Sequence, residues 1–192
     1  EGATAIALSL GNGHSCAILD SGSAACWGWN SYGTVGAGHL SPAFSPELVN
    51  ASNVDGQHLA LSERDMDGDR VPDVFDTRMP GGHEGSVFAS SSIGAGQSHT
   101  CVRADDGEVY CWGQTWYGQL GNSGAPSTNS GPLAVDFSDF GEGVSTSSIA
   151  VGDSHSCAIL DYSEATNLSA NGSVACWGHN NGGRIGDGTE DQ

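Results

Sequence analysis

One segment decides the fold of this chain and occurs in it three times: Gly96-Gln-Ser-His99-Thr-Cys101-Val-Arg-Ala-Asp-Asp-Gly-Glu-Val-Tyr-Cys111-Trp-Gly-Gln-Thr-Trp-Tyr-Gly-Gln-Leu-Gly121. The shared pattern is G-x-x-H-x-C, a turn, and then C-W-G followed by a glycine-rich loop. The first copy runs from Gly11 to Gly36, and the third runs from Gly152 to Gly186. A unit of this size that recurs predicts a repeat architecture, in which each unit packs on its neighbours.

Each repeat has the pattern of a β-hairpin. In the second copy, β-branched and aromatic residues flank the loop at 105–107, which ends in glycine and suits a turn closed by a left-handed residue. This register places the two cysteines opposite each other in a non-hydrogen-bonded pair, where side chains approach closely. The third hairpin has a longer tip, but its strands can pair at their base. The predicted cross-strand disulfides are Cys16–Cys26, Cys101–Cys111 and Cys157–Cys176.

Composition favours an all-β protein with many turns. The chain has 192 residues, of which 30 are glycine and 7% are aromatic, and no helical periodicity extends beyond a turn or two. With 23 acidic and 5 basic residues its net charge is −18, which argues against binding to nucleic acid. That charge fits either simple solubility or a saline, cation-rich medium. No apolar run is long enough for a membrane span, and the first residue is Glu1, which we interpret as a processed chain or an excised segment.

Cysteine usage indicates an oxidising compartment. The six cysteines form three matched pairs. Zinc is the alternative, but the spacing lacks a C-x2-C unit and each site would need a further ligand. The sequence therefore predicts an extracellular or cell-surface protein. Three sequons mark possible glycosylation sites: Asn50, Asn167 and Asn171.

The glycine-rich loops carry a family resemblance. Trp27-Gly-Trp-Asn-Ser-Tyr-Gly-Thr-Val-Gly36, the segment 112–121 and Trp177-Gly-His-Asn180 resemble the repeat of the regulator of chromosome condensation family, whose members form β-propellers. The paired cysteines resemble secreted prokaryotic versions. The resemblance implies propeller blades, but three copies cannot close a ring of the family's usual size. We therefore expect a segment of a longer chain, a ring completed by neighbouring subunits, or an open arc that polymerises.

We divide the chain into four parts. The ranges are 1–52 for the first repeat, 53–84 for an insertion, 85–146 for the second repeat and 147–192 for a truncated third repeat.

The insertion carries an acidic loop that predicts a calcium site. Oxygen ligands at positions one, three, five, seven, nine and twelve can surround a hard cation. The stretch resembles the thrombospondin type 3 repeat and the EF-hand loop, although Arg70 replaces the usual glycine and an aspartate replaces the final glutamate. A solvated acidic loop is the alternative. The predicted ligands are Asp65, Asp67, Asp69, Val71 (through its carbonyl), Asp73 and Asp76.

A histidine and a tryptophan each recur once per repeat. His14, His99 and His155 suggest a repeated packing role, and we expect buried histidines bonded to the backbone, with a metal in a central channel as the lesser alternative. The tryptophans of the C-W-G triplets are predicted core residues. By contrast, Trp29 and the pair Trp116-Tyr117 lie in loops, where exposed aromatics can anchor a partner or stack on sugar.

No motif indicates catalysis, because the chain has neither a G-x-S-x-G elbow nor a phosphate-binding loop. We expect an extracellular, non-enzymatic module for protein–protein interaction or structural assembly (adhesion, a surface layer or a filament), stabilised by disulfides and calcium. Its partners would be other protein subunits, including copies of itself, and glycan is possible. The alternative is a carbohydrate-binding or hydrolase-associated, inhibitory propeller. A nucleotide-exchange factor is a third reading, which the charge and disulfides disfavour.

Overall fold

A computed structural model describes residues 4–19, 23–50, 93–104, 107–141, 143–162 and 172–190. Within these ranges the chain forms antiparallel strands and one single-turn 3-10 helix, Ser138–Phe140. The all-β prediction is confirmed.

The strands form three antiparallel sheets, one for each repeat. The sheet orders are β1-β2-β3-β4, β5-β6-β7-β8 and β11-β10-β9, and we call these sheets the first, second and third blade. The strands are β1 Ala5–Leu10, β2 His14–Leu19, β3 Ala24–Gly28, β4 Ala43–Leu48, β5 Ile93–Ala95, β6 His99–Arg103, β7 Val109–Gln114, β8 Thr128–Ala134, β9 Ser145–Val151, β10 His155–Asp161 and β11 Val174–Gly178.

The hairpin register follows the sequence prediction. Cys101 lies opposite Cys111, and the same pairing recurs in the other two blades. Gly107 closes the second hairpin at φ +83°, in the left-handed region that glycine adopts without strain. All three predicted disulfides form, each between Cα atoms 4.1 Å apart. The described residues contain no free cysteine.

The outer strands begin earlier than the sequence suggests. The sequence indicates outer strands at 46–49 and 131–137, whereas β4 begins at Ala43 and β8 at Thr128. Each strand contains a proline in its interior, Pro46 in β4 and Pro132 in β8. Proline has no backbone N–H to donate to a neighbouring strand. An outer strand tolerates it because one of its two edges has no neighbouring strand.

The core lies between the blades. One face of each blade carries the disulfide and the histidine, and we call it the trailing face; the opposite face carries the C-W-G tryptophan and is the leading face. The trailing face of the first blade packs on the leading face of the second, where Ile18 and the Cys16–Cys26 bridge join Tyr110 and Trp112 in one buried cluster. A second cluster joins the second and third blades in the same way.

Candidate functional site

The repeated histidines connect one blade to the next. Nε2 of His14 lies 2.7 Å from Oγ1 of Thr100, and Nε2 of His99 lies 2.9 Å from Oγ of Ser156. These partners are side-chain hydroxyls of the following blade, so the expectation of backbone partners is wrong. The sequence did not reveal this because the partner lies in the next repeat, far along the chain.

The proton on His14 can be assigned. The Thr100 hydroxyl donates to the carbonyl oxygen of Thr34 at 3.1 Å, so it must accept a hydrogen bond from Nε2–H of His14. Nδ1 of His14 is then unprotonated, and it is buried without a hydrogen-bond partner. Protonation would place a charge and an unsatisfied N–H in the interior. Burial therefore lowers the pKa of His14 to about 4, and burial together with the neighbouring histidines lowers the pKa of His99 to about 3.

The histidine ring packs directly against the glycine of G-x-x-H, where a β-carbon would clash with it. A β-carbon on Gly96 would lie 2.6 Å from Cε1 of His99 and 2.6 Å from the carbonyl oxygen of Gly152 in the next blade. Only a residue without a side chain allows both the ring and the neighbouring backbone to approach this closely. The contact between the trailing face of one blade and the leading face of the next is called the joint from here on. The spacing in the motif is therefore a packing requirement of the joint.

The C-W-G tryptophans, on the leading face of each blade, contribute a second hydrogen bond to the joint. Nε1 of Trp112 donates to the carbonyl oxygen of Thr34 at 2.9 Å, and Nε1 of Trp177 donates to that of Gln119 at 3.1 Å. Both acceptors lie in the glycine-rich loop of the preceding blade. Trp112 is fully buried, as predicted for a core residue, whereas Trp27 and Trp177 are half-buried.

The same loops bring aromatic side chains together on one face of the molecule. Trp29 contacts Tyr32 edge to face at 5.0 Å between ring centroids, and Tyr32 contacts Trp116 in the same manner at 5.4 Å. Tyr117 stacks on His179 of the third blade at 4.2 Å. These contacts connect the loops of neighbouring blades, and the rings hold one another in defined orientations.

A groove of about 470 Å³ opens between the loops of the first and second blades. We call it the aromatic groove. Its described lining consists of Trp29, Tyr32, Trp116 and Tyr117, the amide side chains of Asn12, Gln97 and Gln114, and the small residues Gly13 and Ser98. None of these residues carries a charge.

Hydrogen bonds fix the orientation of the Gln114 amide. The backbone N–H of Tyr117 donates to Oε1 of Gln119, so the amide nitrogen of Gln119 faces Gln114 and donates to its Oε1 at 3.3 Å. Gln114 is only 7% exposed and lines the groove, and its amide nitrogen is not among the fully buried side-chain atoms of the described residues that lack a hydrogen-bond partner. An amide side chain held in one orientation at a cavity wall is a candidate for ligand binding.

The repeat explains why Trp29 and Gln114 both line the groove. They occupy the same position in their blades, and each backbone N–H bonds to the residue before the histidine, at Gly13 and Ser98. In the first blade Asn30 holds the loop, with Oδ1 accepting from the N–H of Val35. The second blade has Thr115 in that position, and the Gln119 amide holds the loop there instead.

Sequence reasoning identified part of this groove. Trp29, Trp116 and Tyr117 were predicted to lie exposed in the loops, and all three line the groove with 39–59% of their surface accessible. Tyr32 and the amide side chains were missed. Their role depends on the stacking of two blades, and the only sequence signal was their recurrence at equivalent loop positions.

The predicted metal and modification sites fall largely outside the described residues. All six predicted calcium ligands, Asp65 to Asp76, lie there, as do the sequons at Asn167 and Asn171. Asn50 is described and exposed. Among the described residues, no cluster of three or more histidine, cysteine, aspartate or glutamate side chains is placed to hold a metal ion. Those residues also include no helix with the length and apolar character needed to span a bilayer.

Antiparallel sheets that stack face to face, here two of four strands and one of three among the described residues, are typical of propeller blades. Two models of the regulator of chromosome condensation (RCC1) repeat match the chain, one at residues 106–159 and the other at 5–34 and 91–119. The chain belongs to the family of proteins that carry this repeat.

Solved structures support the fold. Yeast RCC1 (Prp20) bound to Kap60 matches with a TM-score of 0.59 at 18% identity, over 96% of this chain and 34% of that one. Prp20p from Saccharomyces cerevisiae, in a study of its binding to Gsp1p and histones, matches with a TM-score of 0.58 at 18% identity, over 95% and 35% of the two chains.

Similar sequences occur in much longer proteins. The human E3 ubiquitin-protein ligase HERC2 is 24% identical over the whole of this chain, which spans 3% of that protein. The ultraviolet-B receptor UVR8 of Arabidopsis thaliana is 23% identical over 97% of this chain and 44% of its own length. Human RCC1 domain-containing protein 1 is 28% identical over 71% of this chain and 38% of its own length. The chain thus spans less than half of each of these relatives.

Proposed function

We propose that this chain is an extracellular protein-interaction module that assembles through its blade faces, with a second copy as the partner. The observation that carries the proposal is an apolar leading face on the first blade. The paired disulfides support an extracellular location, because such bonds persist in oxidising compartments. We retain calcium at Asp65 to Asp76 as a stabiliser of the insertion, where it would neutralise the clustered carboxylates.

The three blades place an apolar residue at one equivalent strand position. Leu8, Ile93 and Ile149 occupy it, each opposite the residue that follows the first cysteine. Ile93 and Ile149 are 6% and 7% exposed because the preceding blade covers them, whereas Leu8 is 59% exposed. Leu10 and Leu48 share this exposed face with Leu8. Leu8 and Leu10 lie on β1 and Leu48 on β4, so exposed apolar side chains stand at both edges of this face, as at an interaction surface.

The trailing face of the third blade has matching features. Ala24, Val109 and Val174 occupy one equivalent position, two residues before the second cysteine. Ala24 and Val109 are buried against the following blade, whereas Val174 is 61% exposed. A β-carbon on Gly186 would meet nothing within 4 Å, although its counterparts Gly36 and Gly121 face the tryptophan of the next blade. The trailing face of the third blade therefore leaves open the positions that a leading face covers in the other two blades.

The two exposed faces fit each other because the internal joints are built from the same positions. The third blade offers His155 and the loop carbonyl oxygens, and the first blade offers Ser15 and Trp27 at the positions of Thr100 and Trp112. A joint between two copies would thus repeat the contacts seen inside the chain. Repeating contacts of this head-to-tail type produce rings or filaments.

Sedimentation velocity of the full chain over roughly a hundredfold range of concentration tests the proposal. We expect the wild-type chain to associate and the single variants Leu8→Asp and Val174→Asp to remain monomeric, since each buries a charge in the joint. A mixture of the two variants should form a dimer and nothing larger, because each retains one competent face. Leu40→Asp, at an exposed loop leucine outside the strands, is the matched control and should associate like the wild type.

Two outcomes would contradict the assembly. One is a wild-type chain that stays monomeric at every concentration. The other is a mixture of the two variants that fails to dimerise while both variants retain their fold by circular dichroism.

A further inference from the structure

We propose that the aromatic groove binds a neutral saccharide. The groove lies at the joint between the first and second blades, away from the two exposed faces that the assembly would use. The proposal is therefore independent of self-association.

The aromatic rings provide flat apolar surface. Trp29, Trp116 and Tyr117 remain 40%, 59% and 39% exposed, although each makes a ring contact with a neighbour. Saccharide rings present C–H groups on their faces and hydroxyls around their edges, so they pair an aromatic surface with a polar rim. Because the edge-to-face contacts already fix Trp29 and Trp116, binding costs little side-chain entropy.

The amide side chains provide the polar rim. An amide both donates and accepts, as a sugar hydroxyl does, and Asn12, Gln97 and Gln114 line the same groove. The Gln114 amide is the most informative, because Gln119 donates to its oxygen and its N–H₂ group is then the end left to donate to a ligand in the groove. A ligand hydroxyl in the groove can accept a hydrogen bond from this amide nitrogen.

The uncharged lining of the groove and the negative net charge of the chain favour a neutral ligand. The chain carries 23 acidic and 5 basic residues, yet none of the described residues that line the groove is charged. An anionic saccharide would find no cation there and would be repelled by the net charge of −18. A cationic ligand would find no carboxylate to pair with inside the groove.

A proline-rich peptide is the competing occupant, since such peptides also dock on aromatic grooves. The amides of Asn12 and Gln97 offer oxygen acceptors as well as N–H donors, and sugar hydroxyls can pair with both, whereas the backbone of a proline-rich peptide offers carbonyl acceptors and few N–H donors. We therefore argue for the saccharide and make the peptide an outcome of the test.

The experiment is a titration of the full chain with cellohexaose, laminarihexaose, mannohexaose and chitohexaose. Hexagalacturonate and a proline-rich decapeptide serve as comparison ligands. Tryptophan fluorescence reports on Trp29 and Trp116, and calorimetry measures the dissociation constant. We expect at least one neutral hexasaccharide to bind with 1:1 stoichiometry and neither comparison ligand to bind.

Two variants locate the site. Trp116→Ala removes an exposed ring and Gln114→Glu removes the donor while keeping the oxygen that Gln119 needs, so both should fold. Each is expected to weaken binding by about tenfold or more, as hot-spot truncations do. Phe140→Ala, at an exposed aromatic residue outside the groove, should bind like the wild type.

The proposal is overturned if none of the four neutral hexasaccharides binds at about 10 mM, or if Trp116→Ala binds as tightly as the wild type. Tighter binding of hexagalacturonate or of the peptide would also overturn it, because the groove would then select another class of ligand.

Discussion

His14 and His99 lie inside the blade joints as neutral rings, and this makes the joints sensitive to acid. Their pKa values of about 4 and about 3 lie below the ordinary value of 6.5 because the charged ring would be buried. The unfolded chain thus binds more protons than the folded chain below pH 6.5. Stability is fully present above pH 6.5 and falls as the pH approaches 4.

We predict that the free energy of unfolding decreases between pH 6.5 and 5, with each histidine adding a slope of up to about 1.4 kcal/mol per pH unit. His14→Gln should flatten this slope by about one histidine's share. Urea unfolding at half-unit pH steps measures it, and His39→Gln, at a partly exposed histidine 2.7 Å from Glu47, is the control. An unchanged slope in His14→Gln would show that the joint does not disfavour the protonated ring.

At the scale of the strands, the C-W-G tryptophans offer a matched comparison. Trp112 and Trp27 occupy the same position in neighbouring blades, but Trp112 bonds to the loop of the preceding blade and Trp27 has no such loop among the described residues. We predict that Trp112→Phe lowers the free energy of unfolding by about 1–3 kcal/mol, because it removes one of the two hydrogen bonds that the buried Thr34 carbonyl oxygen accepts, the other coming from the Thr100 hydroxyl.

Trp27→Phe should change the free energy of unfolding by less than about 0.5 kcal/mol, as for a substitution that removes no buried partner. Chemical denaturation of both variants under identical conditions is the measurement, at a protein concentration low enough that sedimentation shows a monomer, so that Trp27 lies outside any joint between copies. Equal losses in the two variants would mean that the indole N–H contributes through something other than the joint.

The strands were also the level at which sequence reasoning worked best. Local rules sufficed to place Cys101 opposite Cys111, because a hairpin's register depends only on its turn and on the alternation of side chains. The same rules could not identify the hydroxyl partner of His14 or the meeting of Tyr32 with Trp116. Those contacts join residues that are distant in sequence, and they exist only once two blades have stacked.

At the scale of the whole molecule, the acidic insertion should depend on a cation. Asp65, Asp67, Asp69, Asp73 and Asp76 place five carboxylates within twelve residues, which repel one another unless a cation neutralises them. We predict that EDTA makes residues 53–84 the first site of proteolysis and that calcium, added back, restores protection.

The paired variant Asp67→Asn/Asp69→Asn should be cut at the same rate with and without EDTA. Limited proteolysis followed by mass spectrometry of the fragments is the measurement. Identical cleavage of the wild-type chain in calcium and in EDTA would contradict the calcium site.

The joint described for His14 and Trp112 recurs between the second and third blades with His99 and Trp177. Since one set of contacts serves every junction, a recombination event that duplicates or deletes a complete unit leaves all remaining junctions intact. Proteins built in this way can change their length during evolution in whole-unit steps, without any redesign of their interior.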